Sequence, residues 1–292
     1  MSNLSVISGK PSEDLAKCLA KRIKANLVKS EIRIFPDGES KITLVGKLSK
    51  KKSIVVQSIY PPVDTNLLHA LSLISKAKEA SSQVIAVIPY MGYARQDREF
   101  LPGEVITMKV LAKLFQSSGA SKIIVVDIHS LIGLKYFSIK TKNVTAIPDL
   151  VEYFKNLSLK NPIVISPDQG GKDRAKQFAD KFESEWIALE KKRDRKTGKV
   201  KIKTKDIDEI IGRDVILVDD MISTGGSIIE ATQFLKKQKC NRVYVACTHA
   251  LLMNGAEKKI KKAGVTRIVS ANTIPNKTSV VDVSKTIAKA IE

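Results

Sequence analysis

The sequence predicts an α/β protein built from parallel β-sheets with helices on both faces. Short apolar runs alternate with amphipathic helical patterns along all 292 residues. Runs of four or five apolar residues fit strands that are covered on both faces, as strands of parallel sheets are. Two such runs, at residues 123–126 and 215–218, are each followed directly by an aspartate. This shared plan suggests two related α/β halves, in which functional residues lie beyond the carboxyl ends of the strands.

Each element is predicted from its local pattern. Strands are predicted where apolar and β-branched residues run together between turn residues, and helices where apolar residues recur every three or four positions. In chain order the predicted strands cover residues 4–7, 32–35, 54–57, 84–88, 123–127, 163–166, 186–189, 215–218, 243–247 and 267–269. The predicted helices cover residues 12–25, 64–78, 105–116, 150–157, 172–182, 227–237, 255–262 and 281–291.

The chain is long enough for two domains of ordinary size. No low-complexity linker divides it, and the polar segment 140–143 is the best candidate for a boundary. We therefore expect one domain over residues 1–143 and a second domain over residues 144–279. The predicted C-terminal helix, within residues 280–292, can pack back on the first domain.

The composition restricts the class of protein. No apolar run approaches the roughly 18 residues that span a bilayer, and the N-terminus lacks the pattern of a signal peptide. Cys18, Cys240 and Cys247 show no CxxC spacing, so we expect a reduced, cytoplasmic protein with no membrane partner. The net charge of +20 permits anionic metabolites or nucleic acid as ligands. Aromatic residues make up only 5% of the chain, which disfavours a stacking platform, so we expect no nucleic-acid partner.

The most informative segment is 215–227, in which a buried strand is followed by two carboxylates and a loop of hydroxyl residues and glycines. Loop amides and the positive end of the following helix favour a phosphate, and paired aspartates can accept hydrogen bonds from vicinal sugar hydroxyls. The segment therefore predicts a site for a phosphorylated sugar, and the alternative is an ordinary capped turn. The candidate ligands are Asp219, Asp220, Ser223, Thr224, Gly225, Gly226 and Ser227.

Two further segments carry groups suited to a nucleotide. Arg95, Gln96 and Asp97 follow a predicted strand, and arginine holds phosphates through a planar pair of donors. The alternative for these residues is a solvated charged loop. The segment 33–39, taken alone, is a strand that ends in a turn. The chain has no GxxxxGK[ST] or GxGxxG motif, so any bound ATP is held in another way.

Two single side chains and one basic segment complete the candidates. His129 lies just beyond one predicted strand, and Asp168 lies in a turn after another. On chemistry alone, a lone histidine at such a position is more often a hydrogen-bonded loop residue than a metal ligand, and Asp168 is explained by an ordinary turn. The segment 191–205 holds nine Lys or Arg residues and one Asp, with a turn near residues 196–198, which indicates a basic β-hairpin.

Taken together, these segments resemble the motifs of the ribose-phosphate diphosphokinases, in a short archaeal-like form. In family order the motifs are FPDGE at 35–39, YARQDR at 93–98, DIH at 127–129, SPDQGG at 166–171 and DDMISTGGS at 219–227. They extend over nearly the whole chain and are far more specific together than singly. The resemblance implies two related phosphoribosyltransferase-like domains, each a mostly parallel sheet flanked by helices.

The resemblance also implies a role for each candidate residue. Residues 219–227 would hold ribose 5-phosphate, and the basic hairpin would supply the catalytic cations Lys191 and Arg193. The Mg²⁺ ligands would be His129 and Asp168. The residues implied to bind ATP are Phe35, Asp37, Glu39, Arg95, Gln96 and Asp97, the first three reaching across from a neighbouring subunit. The expected partners are therefore ATP, ribose 5-phosphate and further copies of the chain, in a homodimer or a larger homo-oligomer.

The implied reaction moves the β,γ-diphosphoryl group of ATP to O1 of ribose 5-phosphate, giving 5-phosphoribosyl 1-diphosphate and AMP. A nucleobase phosphoribosyltransferase would share residues 219–227 but would not explain residues 93–98. A non-catalytic regulatory homologue would be expected to lose the catalytic cations, and a nucleic-acid-binding regulator would need an added domain. The segment 130–137 departs from the longer stretch of bacterial members, which leaves hexamer formation and allosteric control open.

Overall fold

The computed structural model describes residues 3–193, 200–203 and 210–291. Their strands are β1 (Leu4–Ser8), β2 (Asn26–Ile34), β3 (Ser40–Val45), β4 (Lys52–Val56), β5 (Gln83–Ile88), β6 (Lys122–Val126), β7 (Lys140–Val144), β8 (Ile163–Ser166), β9 (Trp186–Ala188), β10 (Glu190–Arg193), β11 (Val200–Lys203), β12 (Val215–Ile222), β13 (Val243–Ala250), β14 (Val265–Ala271) and β15 (Ser279–Val281). Their α-helices are α1 (Glu13–Arg22), α2 (Val63–Ala80), α3 (Thr107–Ser117), α4 (Ile147–Lys155), α5 (Lys172–Phe182), α6 (Gly226–Lys237), α7 (Ala256–Lys262) and α8 (Ser284–Ile291).

These elements form two compact units, each with its own sheet. The first unit contains the chain up to Thr145, together with Thr273–Pro275 and the residues from Asp282 onward; the second contains the remainder. Helix α8 packs beside α1 in the first unit, where Arg22 Nε donates to Ser284 Oγ at 3.1 Å. Within the described residues, no helix combines the length and the apolar character that crossing a membrane requires.

The first unit has a seven-stranded sheet in the order β3-β2-β1-β4-β5-β6-β7. Neighbouring strands are parallel, except that β2 and β3 form an antiparallel hairpin. The central strands β1, β4, β5 and β6 are buried along most of their length, and Leu73, Leu111 and Phe115 of the helices belong to the same apolar core. The predicted α/β class, with mostly parallel sheets flanked by helices, is confirmed.

Two edge strands of this sheet, β3 and β7, have no counterpart among the predicted elements. Along β3, half-buried and exposed positions alternate, and in β7 only Val144 is buried. An edge strand covers less apolar surface than a central strand, so its sequence lacks a continuous apolar run. The polar stretch interpreted as a boundary, residues 140–143, is therefore part of a strand that pairs with β6.

The second unit has six parallel strands in the order β15-β14-β13-β12-β8-β9. Strands β12 and β13 each run through eight residues, so their predicted ends at residues 218 and 247 are wrong. Pairing between these two strands continues as far as Ile222 and Ala250. As a result, Asp219 and Asp220 belong to the last part of β12 and not to the loop after it.

A buried carboxylate links the segments at the amino ends of the strands in this second sheet. Asp214 is closed to solvent and accepts hydrogen bonds from Lys160 N (2.7 Å), Asn241 Nδ2 (2.7 Å) and Arg242 Nη2 (2.6 Å). Burial raises the pKa of this carboxyl, but the hydrogen bonds from Arg242 and from backbone amides outweigh it, so the pKa of Asp214 lies below its ordinary value. Asp214 thus joins the segments that lead into β8, β12 and β13.

Strands β10 and β11 form a separate antiparallel hairpin, in which Lys191 pairs with Ile202 and Arg193 pairs with Val200. The predicted hairpin is confirmed at both of its strands. The predicted turn near residues 196–198 lies outside the described residues.

Candidate functional site

The loop after β12 has the features of an anion site. From Ile222 the chain turns through residues 223–225 and enters α6 at Gly226. Gly225 has a left-handed backbone (φ +80°), and its carbonyl accepts the first helical hydrogen bond, from Ile229 N at 2.9 Å. A helix leaves the amides of its first turn without internal partners, and its dipole favours negative charge there. This loop is therefore suited to a phosphate group.

One side of the loop is open. A Cβ built on Gly226 meets no atom of the described residues within 4 Å, and Thr224 is exposed, whereas Gly225 is buried. Ser223 and Ser227 are partly exposed. The five predicted loop residues therefore lie together, and their hydroxyl groups and amides lie next to the side of the loop that is open to solvent.

Asp219 and Asp220 stand at the carboxyl end of β12 beside Arg174. Arg174 Nη1 lies 3.6 Å from Asp219 Oδ1 and 3.7 Å from Asp220 Oδ1, and the two aspartate side chains are 19% and 8% exposed. Burial, followed by the charge of Asp220, raises the pKa of Asp219 to about 8, and Arg174 offsets only part of this. Asp219 therefore has a raised pKa and keeps its proton to a higher pH than an ordinary aspartate, and a protonated carboxyl can donate as well as accept a hydrogen bond.

Arg174 is a site residue that the sequence interpretation missed. It lies in the first turn of α5, shortly after the SPDQGG segment, and the strand before that segment, β8, is the neighbour of β12. Parallel neighbours bring the loops at their carboxyl ends to the same edge of a sheet. The signal for Arg174 was thus the adjacency of two strands that lie far apart in the sequence.

Asp168 organises the turn at the end of β8. Its Oδ1 accepts hydrogen bonds from Gly170 N (3.0 Å) and Gly171 N (3.2 Å), and Ser166 Oγ donates to its carbonyl at 2.6 Å. Gly171 is required because a Cβ there would lie 2.6 Å from Ser166 Oγ. Within the described residues Asp168 Oδ2 has no hydrogen-bond donor, so one carboxylate oxygen is available to a cation.

The Asp168 side chain fits a hard cation that takes only a few of its ligands from the protein. Mg²⁺ prefers oxygen and usually keeps water and substrate phosphate in its coordination sphere, and the available oxygen of Asp168 suits that role. His129 lies in the first unit and Asp168 in the second. In the part of the chain that the structure describes, no group of three or more His, Cys, Asp or Glu side chains could hold a metal ion by itself.

The segment 93–98 of the first unit surrounds a buried carboxylate. Asp97 is 2% exposed, and Arg98 Nε and Nη2 donate to its two oxygens at 3.2 and 3.1 Å. Ser130 Oγ also donates to Asp97 Oδ2. The hydrogen bond from Arg98, with that from Ser130, lowers the pKa of Asp97 against the effect of burial. Asp97 therefore ties this segment to the loop after β6, whereas Arg95 and Gln96 are exposed.

His129 is exposed in that same loop, beyond the carboxyl end of β6. The turn before it is fixed by Asp127 N, which donates to Val144 O at 2.8 Å, and by Ile128 N, which donates to Asn143 Oδ1 at 3.0 Å. Because β5 and β6 are parallel neighbours, segment 93–98 and His129 lie at the same edge of the first sheet.

Phe35, Asp37 and Glu39 form the tip of the β2–β3 hairpin. Phe35 N donates to Glu39 O at 2.8 Å, and Glu39 N donates to Asp37 Oδ1 at 3.1 Å. Asp37 and Glu39 are exposed and Phe35 is partly exposed. Strands β1 and β4 lie between β2 and β5, so the strands that lead to this tip and to Arg95 are three strand spacings apart, roughly 14 Å.

The backbone of Lys191 and Arg193 begins the basic hairpin soon after β9 ends. Strand β9 pairs with β8 as far as Ala188, whose carbonyl accepts a hydrogen bond from Gln169 Nε2 at 3.3 Å. The hairpin therefore starts close to the loop that carries Asp168.

Comparison with known proteins gives matches along most of the chain. Residues 4–119 match a model of the N-terminal domain of ribose phosphate pyrophosphokinase, and residues 144–285 match a model of the phosphoribosyl transferase domain. The ribose-phosphate pyrophosphokinase of Methanopyrus kandleri is 38% identical over 280 residues, which cover 95% of each chain. That of Sulfurisphaera tokodaii is 36% identical over 290 residues, covering 98% of this chain and 99% of the relative.

A solved structure resembles the chain over its whole length. The crystal structure of phosphoribosylpyrophosphate synthetase from Mycobacterium smegmatis superposes with a TM-score of 0.87 at 25% sequence identity. The superposition covers 99% of this chain and 98% of the other. Both units, with their order along the chain, therefore have counterparts in that protein.

Proposed function

This chain belongs to the ribose-phosphate pyrophosphokinase family, and we propose that its site transfers the β,γ-diphosphoryl group of ATP to O1 of ribose 5-phosphate. The products are 5-phosphoribosyl 1-diphosphate and AMP. The chain is accordingly an enzyme of nucleotide biosynthesis, a diphosphotransferase.

The observation that carries the proposal is the arrangement at the carboxyl end of β12. A sugar phosphate presents one anion and a pair of neighbouring hydroxyl groups. The loop 223–227 offers amides and hydroxyl groups for the phosphate anion. Asp219 and Asp220, a few residues earlier in β12, offer carboxylates for the hydroxyl groups of the sugar. With the phosphate and the hydroxyls held at two points, O1 of the sugar has a defined direction.

The second substrate would be held by the first unit. Arg95 and Gln96 are exposed and would contact ATP, while Asp97 would keep their segment in place through Arg98 and Ser130. Phe35, Asp37 and Glu39 would reach the ATP site of a neighbouring copy from the tip of their hairpin. His129 and Asp168 would hold Mg²⁺, which would supply positive charge against the phosphate oxygens of ATP.

The transfer itself requires positioning and charge neutralisation. O1 of the sugar attacks the β-phosphorus of ATP in line, and AMP leaves. Such transfers depend mainly on the alignment of the reactants and on stabilising the charge of the phosphoryl oxygens. Lys191 and Arg193 would provide the positive charge that stabilises these oxygens. They lie on the hairpin that begins beside the Asp168 loop.

The same proposal includes assembly and location. If the tip at Phe35 completes the site of another copy, the active form is a homodimer or a larger homo-oligomer. We expect it to act in the cytoplasm on ATP and ribose 5-phosphate, without a nucleic-acid or membrane partner. A nucleobase phosphoribosyltransferase is not favoured, because residues 4–119 match a domain of the pyrophosphokinases.

The test traces where the labelled γ-phosphate of ATP goes. The chain is incubated with Mg²⁺, ribose 5-phosphate and ATP labelled in the γ-phosphate, and the products are separated. The expected result is AMP together with a labelled sugar diphosphate, both absent when ribose replaces ribose 5-phosphate. Labelled free phosphate with ADP, or no AMP at all, would contradict the proposal. Addition of adenine and 5-phosphoribosyl 1-diphosphate in place of the substrates tests the phosphoribosyltransferase alternative.

A further inference from the structure

The loop at 223–227 has a closed back opposite its open side. A Cβ built on Gly225 would lie 2.7 Å from Ile260 Cδ1, 2.9 Å from Ile260 Cγ1 and 3.6 Å from Ala256 Cβ. Ile260 and Ala256, both on α7, are fully buried, whereas the next loop residue, Gly226, faces open space. Gly225 therefore rests directly on a wall of two apolar side chains.

Two backbone hydrogen bonds hold the start of the loop. Leu252 N donates to Ile222 O at 3.0 Å, and Met253 N donates to Ser223 O at 2.9 Å. Both amides come from the turn that joins β13 to α7. We refer to residues 252–255 of this turn, together with Ala256 and Ile260, as the back wall.

The turn that donates these two amides has an uncommon backbone conformation. Leu252, Asn254 and Gly255 all have left-handed conformations, with φ of +50°, +54° and +73°. This conformation is strained for a branched residue such as leucine, and it persists only where surrounding contacts enforce it. The end of β13 is fixed as well, since Asn276 Nδ2 donates to Ala250 O at 2.9 Å.

We propose that the back wall positions the loop for the phosphate of ribose 5-phosphate, and that Ile260 is a positioning residue that acts through Gly225. This inference rests on the proposed function of the loop. A phosphate site needs several amides directed at one point, and a loop with adjacent glycines is costly to order. Because Ile260 occupies the space behind Gly225, the loop is already ordered when the anion arrives.

The test removes the atoms behind Gly225 in two steps. Ile260→Val deletes Cδ1, the atom closest to a Cβ built on Gly225, and keeps a branched side chain that should still fold. Ile260→Ala deletes both γ-carbons as well as Cδ1. We expect the KM for ribose 5-phosphate to rise about 3-fold in the first variant and ~10-fold in the second, with the KM for ATP nearly unchanged. Calorimetric titration with ribose 5-phosphate alone should show the same order of affinities.

The matched control is Ile268, a buried residue of β14 in the same apolar core. Ile268→Val and Ile268→Ala remove the same atoms from this core without touching Gly225, so they should lower the melting temperature and leave the KM for ribose 5-phosphate unchanged. If the Ile260 variants also leave the ratio of the two KM values unchanged while the wild-type chain is active, the inference is overturned. A wild-type chain that is folded but forms no AMP would overturn the proposed function and this inference with it.

Discussion

Asn in place of Asp219 is expected to make the second unit more stable at neutral and higher pH while weakening ribose 5-phosphate binding. The carboxyl of Asp219 is largely buried beside Asp220, and this surrounding raises its pKa to about 8. Above its ordinary pKa, the unfolded chain therefore ionises this group, and the folded chain resists doing so. Asn has nearly the same shape, can still accept the hydrogen bond from Asp220 N, and carries no charge.

The magnitude follows from the shift. The pKa rises from 3.8 to about 8, and each unit corresponds to about 1.4 kcal/mol, so full ionisation at pH 8 would cost at most about 6 kcal/mol. The side chain is 19% exposed and Arg174 Nη1 lies 3.6 Å away, so water and local relaxation reduce this cost. We expect a gain on the order of 2 kcal/mol at pH 8, which is roughly 4–8 °C in melting temperature for a unit of this size.

The pH dependence has a definite sign. For a carboxyl with a raised pKa, the folded state holds the proton longer, so its cost to stability grows as the pH rises from about 4 to about 8. The advantage of Asp219→Asn should therefore be small near pH 5 and largest near pH 8. For Asp214, whose pKa is lowered, the stabilising effect is present above the ordinary pKa and is lost as the pH falls below it.

Thermal unfolding at pH 5 and pH 8 measures both effects, with Asp214→Asn as the matched control at the other end of the same strand. Asp214→Asn removes a charged acceptor of several hydrogen bonds and should lower stability by about 1–3 kcal/mol at pH 8. Ribose 5-phosphate affinity should fall in Asp219→Asn and stay unchanged in Asp214→Asn. A melting temperature that falls in Asp219→Asn at pH 8, or a difference that does not vary with pH, would refute the reasoning.

Five further substitutions test other parts of the site. Lys191→Ala should lower turnover by ~10²-fold with little change in ribose 5-phosphate affinity, and Arg193→Ala should act in the same way; wild-type turnover would contradict their role. Gly226→Val should keep the melting temperature, since a Cβ there meets open space, yet weaken ribose 5-phosphate binding in calorimetry. Ser130→Ala removes a hydrogen bond to Asp97 and should raise the KM for ATP more than that for ribose 5-phosphate. Mixed Phe35→Ala and Lys191→Ala subunits should regain part of the activity after proven exchange; a fully active monomer in light scattering would exclude a shared site.

The central strands and the glycine- and hydroxyl-rich loop 223–227 could be located from the sequence because their physical requirements are local. A strand covered on both faces needs an apolar run, and a phosphate loop needs glycine and hydroxyl residues in a row. Both requirements therefore produce a recognisable pattern within about ten residues. Edge strands such as β3 and β7 have weaker requirements, because each pairs with a strand on one side only within the described sheet. Their sequences alternate or are polar, and nothing local separates them from a loop.

Other features depend on which strands become neighbours. Arg174 meets Asp219 only because β8 pairs with β12, and β12 extends past Val218 only because β13 continues beside it. Asp97 turns inward because Ser130, in the loop after the adjacent strand, supplies a second donor. These relations join residues that are tens of positions apart, and a pattern within a short window contains no information about them.

The position of α8 has a consequence for how the protein is made. This helix completes the first unit, yet it follows the whole of the second unit in the chain. While the ribosome is still producing the second unit, the surface that Ile287 and Ile291 will cover on the first unit remains uncovered. An incompletely covered apolar face is a target for chaperones and a risk for aggregation. The first unit therefore reaches its final fold only after the second unit has been synthesised, and a fragment that stops at Thr145 would lack its last helix.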